Sequence, residues 1–172
     1  MSLRPFIKDD LAMVLKWRNT LEVRQSMYSQ HVITAAEHLD WFLRLESNKH
    51  ALWYIYENTE GTPLGVVYFT EYNSKNRSSF WGFYTSPEAP AGTGSGMAYL
   101  ALEKAFIGLN LHKLNAEVLI TNMKSIRFHK KQRFVEEGVF RDFYLVSGEY
   151  VDVIRFGMLQ SEWLSFRATK II

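Results

Sequence analysis

The spacing of apolar residues changes along the chain, and each change marks a predicted helix or strand. Apolar side chains recur at helical spacing in residues 11–17, after the acidic pair Asp9-Asp10, and again in residues 39–45. The second helix follows Thr34-Ala35-Ala36-Glu37, a capping-box sequence that predicts its start at Thr34. Runs rich in β-branched and aromatic residues predict strands at residues 3–7, 51–56, 64–70 and 79–85.

The second half of the chain begins with a glycine cluster and then repeats helix and strand patterns. After residues 92–96 the spacing predicts a helix over residues 97–106, a strand over 114–120, a helix over 122–133 and a hairpin over 139–158. Hairpins and crossovers in this order predict an α+β fold, with a mixed sheet of about seven strands and about four flanking helices. The length is typical of one domain, so we expect residues 1–172 to form a single domain.

The composition argues against several classes of function. None of the 172 residues is Cys, so a disulfide, a Cys-ligated metal site and a thiol nucleophile are all excluded. The 20 Lys and Arg residues nearly balance the 18 Asp and Glu residues, and the net charge of +2 argues against nucleic acid as a partner. The five His residues are scattered and no apolar run reaches about 20 residues, so we expect no metal, no membrane segment and a cytoplasmic protein.

The glycine cluster at residues 92–96 is the first candidate site. Glycines before a helix let several backbone N–H groups converge on an anion, and the positive end of the helix dipole adds to the attraction. The alternative is structural, because glycine also permits a positive φ and a close helix–strand contact. The cluster is not a Walker loop, since no Lys-Ser or Lys-Thr follows it, and the next strand lacks the acidic end that a dinucleotide site requires.

A wider pattern around this loop carries a family resemblance. Residues 87–134 combine the glycine loop with Leu109-Asn110-Leu111-His112-Lys113-Leu114, with Asn122-Met123-Lys124-Ser125 and with Phe128-His129. The pattern resembles the GNAT superfamily of acetyl-coenzyme A dependent N-acetyltransferases, and the resemblance extends over nearly the whole chain. It implies a GNAT fold with acetyl-coenzyme A as cosubstrate and a small-molecule amine as acceptor.

The resemblance also implies which residues hold the coenzyme. In that family the loop amides bind the pyrophosphate, the pantetheine arm lies between two parallel strands, and an Asn after the second strand binds the arm. Ala91 departs from the Arg or Gln that usually opens the family's loop, so backbone amides and a nearby Lys are expected to suffice. The residues at the matching positions are Phe83, Tyr84, Thr85, Gly92, Thr93, Gly94, Ser95, Gly96, Met97, Asn122, Ser125, Phe128 and Lys131.

Acetyl transfer to an amine requires a neutral amine, a stabilised oxyanion and a proton for the leaving thiolate. The family often has a Tyr at the position of His129, so the resemblance implies that His129 donates this proton as an imidazolium; the alternative is a surface His flanked by lysines. Residues 80–84 carry no carboxylate, which leaves His38 or Glu117 as the candidate base. For Glu117 we favour the alternative of a solvated or cross-strand charge.

The N-terminal third is similar to one branch of that superfamily, which acetylates a nucleotide-linked amino sugar in pseudaminic acid synthesis for flagellin glycosylation. Trp17-Arg18-Asn19 and Met27-Tyr28 carry the similarity. It implies that Arg18 meets the nucleotide phosphates, so we predict acetylation of the 4-amino group of a UDP-linked amino-dideoxy sugar. The alternatives are structural, because Arg18 can pair with Glu22 and the Trp side chains fit apolar helix stripes. The residues implied around the sugar or base are Met27, Tyr28, His38, Trp41, Thr70 and Tyr84.

Several other functions stay open at this point. Acetyltransferases of ribosomal-protein N-termini share the Trp-Arg-Asn-like start, and polyamine acetylation is a further alternative, although Arg18, Arg24 and Arg44 disfavour a polycation in this third. Outside the enzymes, the chain could be a GNAT fold that binds the coenzyme without turnover, as Ala91 indicates. The hairpin over residues 139–158 offers an edge strand through which a homodimer could form.

Overall fold

The computed structural model describes residues 1–170 and contains, over that range, a mixed sheet of seven strands in the order β1-β2-β3-β4-β5-β7-β6. The predicted α+β class and seven-stranded mixed sheet are therefore confirmed. The strands are β1 (Ser2–Pro5), β2 (Leu52–Glu57), β3 (Pro63–Asn73), β4 (Ser78–Thr85), β5 (Lys113–Leu119), β6 (Val135–Val146) and β7 (Glu149–Leu159). The helices are α1 (Leu11–Arg18), α2 (Leu21–Gln25), α3 (Ala35–Ser47), α4 (Thr93–Glu103), α5 (Met123–Lys131) and α6 (Gln160–Lys170).

Contacts between Cα atoms divide the chain into two compact units. The first unit comprises Met1–Tyr72 and Gly82–Ala101, and the second comprises Asn73–Trp81 and residues 102–170. The division falls within β4, whose first half belongs to the second unit and whose second half belongs to the first. The single domain expected over residues 1–172 stays a prediction.

The first unit is built on the antiparallel strands β1, β2 and β3. Ser2 lies opposite Glu57 in the first pair of strands, and Leu52 lies opposite Phe69 in the second. Side chains from helices and strands together form its core, and each buried large apolar side chain stabilises the fold by about 1.5–3 kcal/mol. The buried members of this core are Val14, Trp17, Val23, Ile55, Val66 and Tyr84.

α3 begins where the capping-box sequence predicts. The backbone N–H of Glu37 donates to the Thr34 hydroxyl at 3.2 Å, and the Glu37 carboxylate accepts from the Thr34 backbone N–H at 2.7 Å. The two residues thus satisfy backbone donors that the first helical turn leaves without partners. The apolar face of this helix brings Phe42 into the core and leaves Asp40 and Glu46 exposed.

The second unit pairs β4 with β5 and adds the β6–β7 hairpin. β4 and β5 are parallel and pair over three residues, beginning with Ser78 opposite Lys113. β7 lies between β5 and β6 and is antiparallel to both. The core of this unit includes Trp163 of α6, whose buried ring lies 6.5 Å from the ring of Phe106.

β6 is the outermost strand at its end of the sheet and is exposed along most of its length. Its register with β7 shifts between Glu136 and Gly138 and between Phe140 and Tyr144, and such bulges bend an edge strand. The homodimer expected from this edge stays a prediction. The exposed large apolar residues of the strand are Val135, Val139, Phe140, Phe143 and Leu145.

The pattern of apolar residues missed two of the helices. α2 has five residues, which is too short for helical spacing to repeat, and α6 follows β7 without any loop, so no turn sequence marks its start. The hairpin predicted over residues 139–158 turns at Ser147-Gly148, between β6 and β7, where these two residues have positive φ angles of 52° and 90°. Within the described residues, no helix is both long and apolar enough to cross a bilayer.

Candidate active site

The glycine cluster of residues 92–96 overlaps the first turn of α4, which begins at Thr93 and not at the predicted residue 97. Two of its glycines have structural roles. Gly92 has φ of +91°, a conformation that other residues rarely adopt. A Cβ on Gly96 would lie 2.7 Å from the Tyr56 hydroxyl, so this glycine allows the first turn of α4 to rest on β2. Gly65 on β3 plays the same part, since a Cβ there would lie 2.8 Å from the Met97 sulfur. The structural alternative for the cluster is therefore realised at Gly92 and Gly96.

The loop amides expected to hold pyrophosphate already make hydrogen bonds inside the loop. The N–H of Thr93 donates to the Pro90 carbonyl at 3.2 Å, and those of Ser95 and Gly96 donate to the Gly92 carbonyl at 3.0 and 3.3 Å. Two of these bonds are long, so an anion with stronger acceptor oxygens can compete for the same donors. The coenzyme role of residues 92–97, Gly94 included, stays a prediction.

The end of β4 supplies the other predicted coenzyme residues of the first unit. Tyr84 is buried in the core, while Phe83 and Thr85 are half-buried on either side of it. Burial raises the pKa of the Tyr84 hydroxyl far above its usual value, so this phenol stays protonated at neutral pH. It can donate a hydrogen bond but cannot act as a base.

Asn122 and Ser125 form the start of α5 in the second unit. The Asn122 side-chain oxygen accepts a hydrogen bond from the Ser125 backbone N–H at 3.0 Å, so this Asn caps the helix. Phe128 is half-buried and Lys131 is exposed at the far end of the same helix. The expected contacts of these four residues with the coenzyme stay predictions. Asn122 caps the helix, and the sequence pattern did not distinguish this structural role from coenzyme binding.

His129 lies in an aromatic cage rather than on the helix surface. It is 4% exposed, and its ring stacks on Phe156 at 5.4 Å and meets Trp81 and Phe134 edge-on at 5.7 and 5.2 Å. Burial lowers the pKa of His129 to about 4, so the ring is neutral at pH 7. Its Nδ1–H donates to the Ser125 carbonyl at 2.8 Å. The alternative of a surface His is therefore wrong. The role of His129 as an imidazolium donor stays a prediction, and it requires protonation of the ring in a buried site that disfavours positive charge.

Glu117 is paired across the sheet, as its structural alternative anticipates. Its carboxylate accepts from Arg155 at 2.5 Å, and the two residues lie opposite each other on β5 and β7. The Arg155 guanidinium also lies over the rings of Phe80 and Phe140, at 4.4 and 5.2 Å. The base role for Glu117 stays a prediction, and the cross-strand ion pair explains why a carboxylate occupies this strand.

Arg18 ends α1 and forms the polar centre of the predicted acceptor residues in the first unit. Its Nη2 donates to the Ser29 carbonyl at 2.7 Å, whereas its Nη1 is buried and has no hydrogen-bond partner. Burial lowers the pKa of Arg18, and the charge of the guanidinium acts on the phenols of Tyr68 and Tyr84. An arginine stays charged at neutral pH even so, which leaves an unsatisfied cationic donor inside the unit.

His38 is the second predicted catalytic residue, and it is 6% exposed on α3. Its ring stacks on the ring of Trp41 with centroids 5.0 Å apart and planes 9° apart. Burial lowers the pKa of His38, and the positive charge of Arg18 lowers it further. The ring is consequently neutral at neutral pH and retains a nitrogen lone pair that can accept a proton.

An aromatic stack that sequence reasoning missed continues from Trp41 across the strands. Trp53 meets Trp41 edge-on at 4.7 Å and stacks on Tyr68 at 4.3 Å. The ring of Tyr68 in turn covers Gly82, where a Cβ would lie 2.2 Å from the ring. Met27 joins this group, since its sulfur lies 4.0 Å from the Tyr68 hydroxyl. Alternating aromatic positions on β2 and β3 were the available signal, but only the register of the strands brings them together.

The remaining predicted acceptor residues, Tyr28 and Thr70, are half-buried in the first unit. Tyr28 lies between α2 and α3, in a segment whose two ends are joined by the Asn19 side chain. The Asn19 side chain donates to the Ile33 carbonyl at 2.8 Å and accepts from the Ile33 N–H at 2.9 Å. A third bond, from the Arg24 guanidinium to the Gln30 carbonyl at 3.0 Å, supports the same segment.

The predicted residues thus form groups within each unit. In the first unit, Arg18, His38, Trp41, Met27 and Tyr84 belong to one connected group with the aromatic stack. Within residues 1–170, no group of three or more His, Asp and Glu side chains is arranged to hold a metal ion.

Comparisons with known proteins place the chain in a family. Residues 1–135 match the acetyltransferase (GNAT) domain model. The chain is 31% identical over 113 residues to spermidine N(1)-acetyltransferase of Vibrio cholerae, a match that spans 65% of either chain, just under two thirds. It is 26% identical over 170 residues to the Escherichia coli K12 enzyme of the same name, spanning 98% of this chain and 91% of that one.

A solved structure gives the same result. Spermidine N-acetyltransferase from Vibrio cholerae, in complex with CoA and spermine, superposes with a TM-score of 0.88 at 25% identity and covers 95% of this chain and 97% of its own. These relatives are named for polyamines, not for the nucleotide-linked sugar that the N-terminal third had led us to expect. The chain belongs to the GNAT acetyltransferase family and is an N-acetyltransferase that uses acetyl-coenzyme A as its cosubstrate.

Proposed function

We propose that the chain acetylates a primary amine of a polyamine such as spermidine. The observation that carries this proposal is the similarity to spermidine N(1)-acetyltransferase of E. coli along 98% of the chain. The half-buried aromatic stack of Trp41, Trp53 and Tyr68 offers walls for a polymethylene chain and π faces for its ammonium groups. Polyamine acetylation, which the arginines of the N-terminal third disfavoured, therefore replaces acetylation of a nucleotide-linked sugar as the main hypothesis.

The proposed reaction is a direct transfer. The amine nitrogen attacks the thioester carbonyl carbon, a C–N bond forms, the C–S bond breaks and the coenzyme leaves as a thiolate. The proton lost by the amine passes to a base, and the thiolate takes up one proton, so the products are the amide and free coenzyme A. Direct transfer fits a chain without Cys, because no thiol is present to carry the acetyl group.

His38 is the residue of the first unit best suited to accept the proton. Its ring is neutral at neutral pH because burial and the charge of Arg18 both lower its pKa. The phenols of Tyr68 and Tyr84 cannot serve, since burial raises the pKa of each. Tyr84 instead keeps its proton at neutral pH and can serve as a hydrogen-bond donor, but not as the base.

One observation favours a second candidate acceptor. The Nη1 group of Arg18 is buried without a partner, and a phosphate or carboxylate oxygen on the acceptor would satisfy it. An amine that carries phosphate, such as the nucleotide-linked amino sugar, is therefore the second candidate. A polyamine has no anionic group to offer this donor.

An acceptor panel tests both candidates. Release of free thiol from acetyl-coenzyme A is measured with spermidine, spermine, a UDP-linked 4-amino sugar and short peptides with free N-termini. We expect turnover with spermidine and a product carrying one acetyl group on a terminal nitrogen. Turnover confined to the sugar nucleotide would select the second candidate. Coenzyme binding without turnover on any amine would contradict both and leave a binding module.

A further inference from the structure

Basic residues are concentrated in α5 and in the two residues that follow it. Residues 118–135 include five Lys and Arg residues and no Asp or Glu. Removing these five from the 20 leaves 15 Lys and Arg residues against 18 Asp and Glu residues, so the rest of the chain is acidic. The net charge of +2, which argued against nucleic acid as a partner, therefore averages a basic helix with an acidic remainder. The five basic residues are Lys124, Arg127, Lys130, Lys131 and Arg133.

Three of these residues form a column along the exposed face of α5. The opposite face of the helix buries Ile126 and His129. Lys124, Arg127 and Lys131 lie at positions i, i+3 and i+7, which places them together on the side away from the buried pair. All three are exposed to solvent. A helix rises about 1.5 Å per residue, so the column is about 10 Å long.

The other two basic residues contact neighbours in the second unit. Lys130 pairs with Glu136 at 2.9 Å, so its charge is partly balanced. The guanidinium of Arg133 lies 4.9 Å from the centre of the Phe166 ring, a contact that leaves the positive charge in place. The family resemblance implied a role toward the coenzyme for Lys131 alone among the five. Acetyl transfer therefore does not account for the concentration of charge on this helix.

We propose that the exposed face of α5 binds the phosphate backbone of nucleic acid without reading the base sequence. A row of Lys and Arg residues along one face of a helix is typical of surfaces that bind nucleic acid. A duplex carries one phosphate per about 1.7 Å of its axis, so a column about 10 Å long lies along several phosphates. Arg127 can bond one phosphate through two N–H groups, and the lysines act as flexible point charges. Binding releases salt ions from the phosphates, and this release favours the complex.

Such a surface suits an enzyme whose substrate is a polycation, a link that rests on the proposed polyamine acetylation. Cations, polyamines among them, gather around nucleic acid as counterions of the phosphates. A protein that neutralises phosphates releases the counterions held there. An enzyme docked through α5 therefore meets its substrate where that substrate is concentrated.

The test is the fluorescence anisotropy of labelled RNA and DNA duplexes, titrated with the full chain in KCl from about 50 to 200 mM. Three or four phosphate contacts predict a slope of about −3 to −4 for log K against log salt, so the affinity should fall about 40- to 150-fold over this range. Because the backbone is bound and the bases are not, RNA and DNA of unrelated sequences should bind within about 5-fold of one another. A strong preference for one sequence or one sugar would contradict binding to the backbone.

A double variant assigns the binding to the column. Lys124→Gln/Arg127→Gln removes two of its charges, so the salt slope should shrink by about 2 and the affinity at low salt should fall about 10-fold or more. Arg44→Gln/Lys49→Gln is the matched control, because it removes one exposed Arg and one exposed Lys from the first unit and changes the net charge equally. Its salt slope should stay within about 0.5 of the wild-type slope.

Four results would overturn the inference. One is the absence of binding at low salt, and another is an unchanged slope in Lys124→Gln/Arg127→Gln. A rise in the KM for acetyl-coenzyme A that parallels the loss of binding would assign the column to the coenzyme. Equally tight binding to phosphatidylserine vesicles would assign it to a membrane surface. Binding is measured without acetyl transfer, so a failure of the proposed polyamine acetylation is distinguishable from a failure of this inference.

Discussion

The free energy of unfolding is expected to fall by about 3 kcal/mol as the pH is lowered from 6.5 to 4, because of His129 alone. In the unfolded chain this His takes up a proton near pH 6.5, but in the folded chain its pKa is lowered to about 4 by burial. Between these two values the unfolded state binds more protons, so stability rises with pH across this window. Below pH 4 both states are protonated and the loss from this residue is complete.

His129→Phe provides the matched comparison. A Phe ring fits the cage of Trp81, Phe134 and Phe156 and has no proton to gain. The free energy of unfolding of this variant, measured with urea, should therefore fall by about 3 kcal/mol less than that of the wild type over the same pH range. Equal pH dependence in the two proteins would show that the ring is not held neutral. The same variant tests the donor role, since loss of a general acid lowers kcat about 10- to 1,000-fold without changing the coenzyme KM. An unchanged kcat would remove that role.

Gly82→Ala is expected to destabilise the protein by about 2 to 4 kcal/mol and to disturb the acceptor side of the first unit. The added Cβ would lie 2.2 Å from the Tyr68 ring, and that ring is held by its stacking on Trp53 at 4.3 Å. A closely packed interior cannot absorb such an overlap by a small shift. Urea unfolding and the acceptor KM are the measurements.

A double-mutant cycle makes the cause of that loss specific. In the Tyr68→Ala background the ring is gone, so the same Gly82→Ala change should cost less than about 1 kcal/mol. Gly138→Ala is the control for loss of a glycine, because open space surrounds that position, and it should stay within about 0.5 kcal/mol of the wild type. An equal cost for Gly82→Ala in both backgrounds would mean that the backbone, not the ring, requires this glycine.

Local signals in the sequence were sufficient for much of the fold. The Thr34 and Glu37 side chains needed to start α3 are three residues apart, and both capping bonds form as the pattern predicts. The turn at Ser147-Gly148 is equally local. α2 was missed because five residues leave no room for a repeat, so the element depends on its surroundings rather than on its own pattern.

The site was harder to predict because its parts are distant in the sequence. The contact between Tyr68 and Gly82 depends on how β3 and β4 lie side by side, and no single segment of the sequence determines that arrangement. The alternative to a catalytic His129 placed this residue beside lysines at the surface, yet Ile126 lies three residues earlier on the same helix face, and both are buried. Counting arginines could not identify the acceptor either, because Arg18 is half-buried with its Nη1 enclosed, whereas Arg44 is exposed.

The Asn19 side chain joins the two ends of the segment between α1 and α3. Two hydrogen bonds to Ile33 fix where the loop leaves α1 and where it returns to α3, and neither depends on residues 20–32. Doubling the length of a closed loop costs only about 0.6 kcal/mol, so the residues between α2 and Ile33 can accept insertions and exchanges cheaply, whereas Val23 on α2 is held in the core. Evolution can therefore exchange the segment that carries Met27 and Tyr28 while α2 stays in place, and a chimera joined after α2 and at Ile33 would let an experimenter do the same.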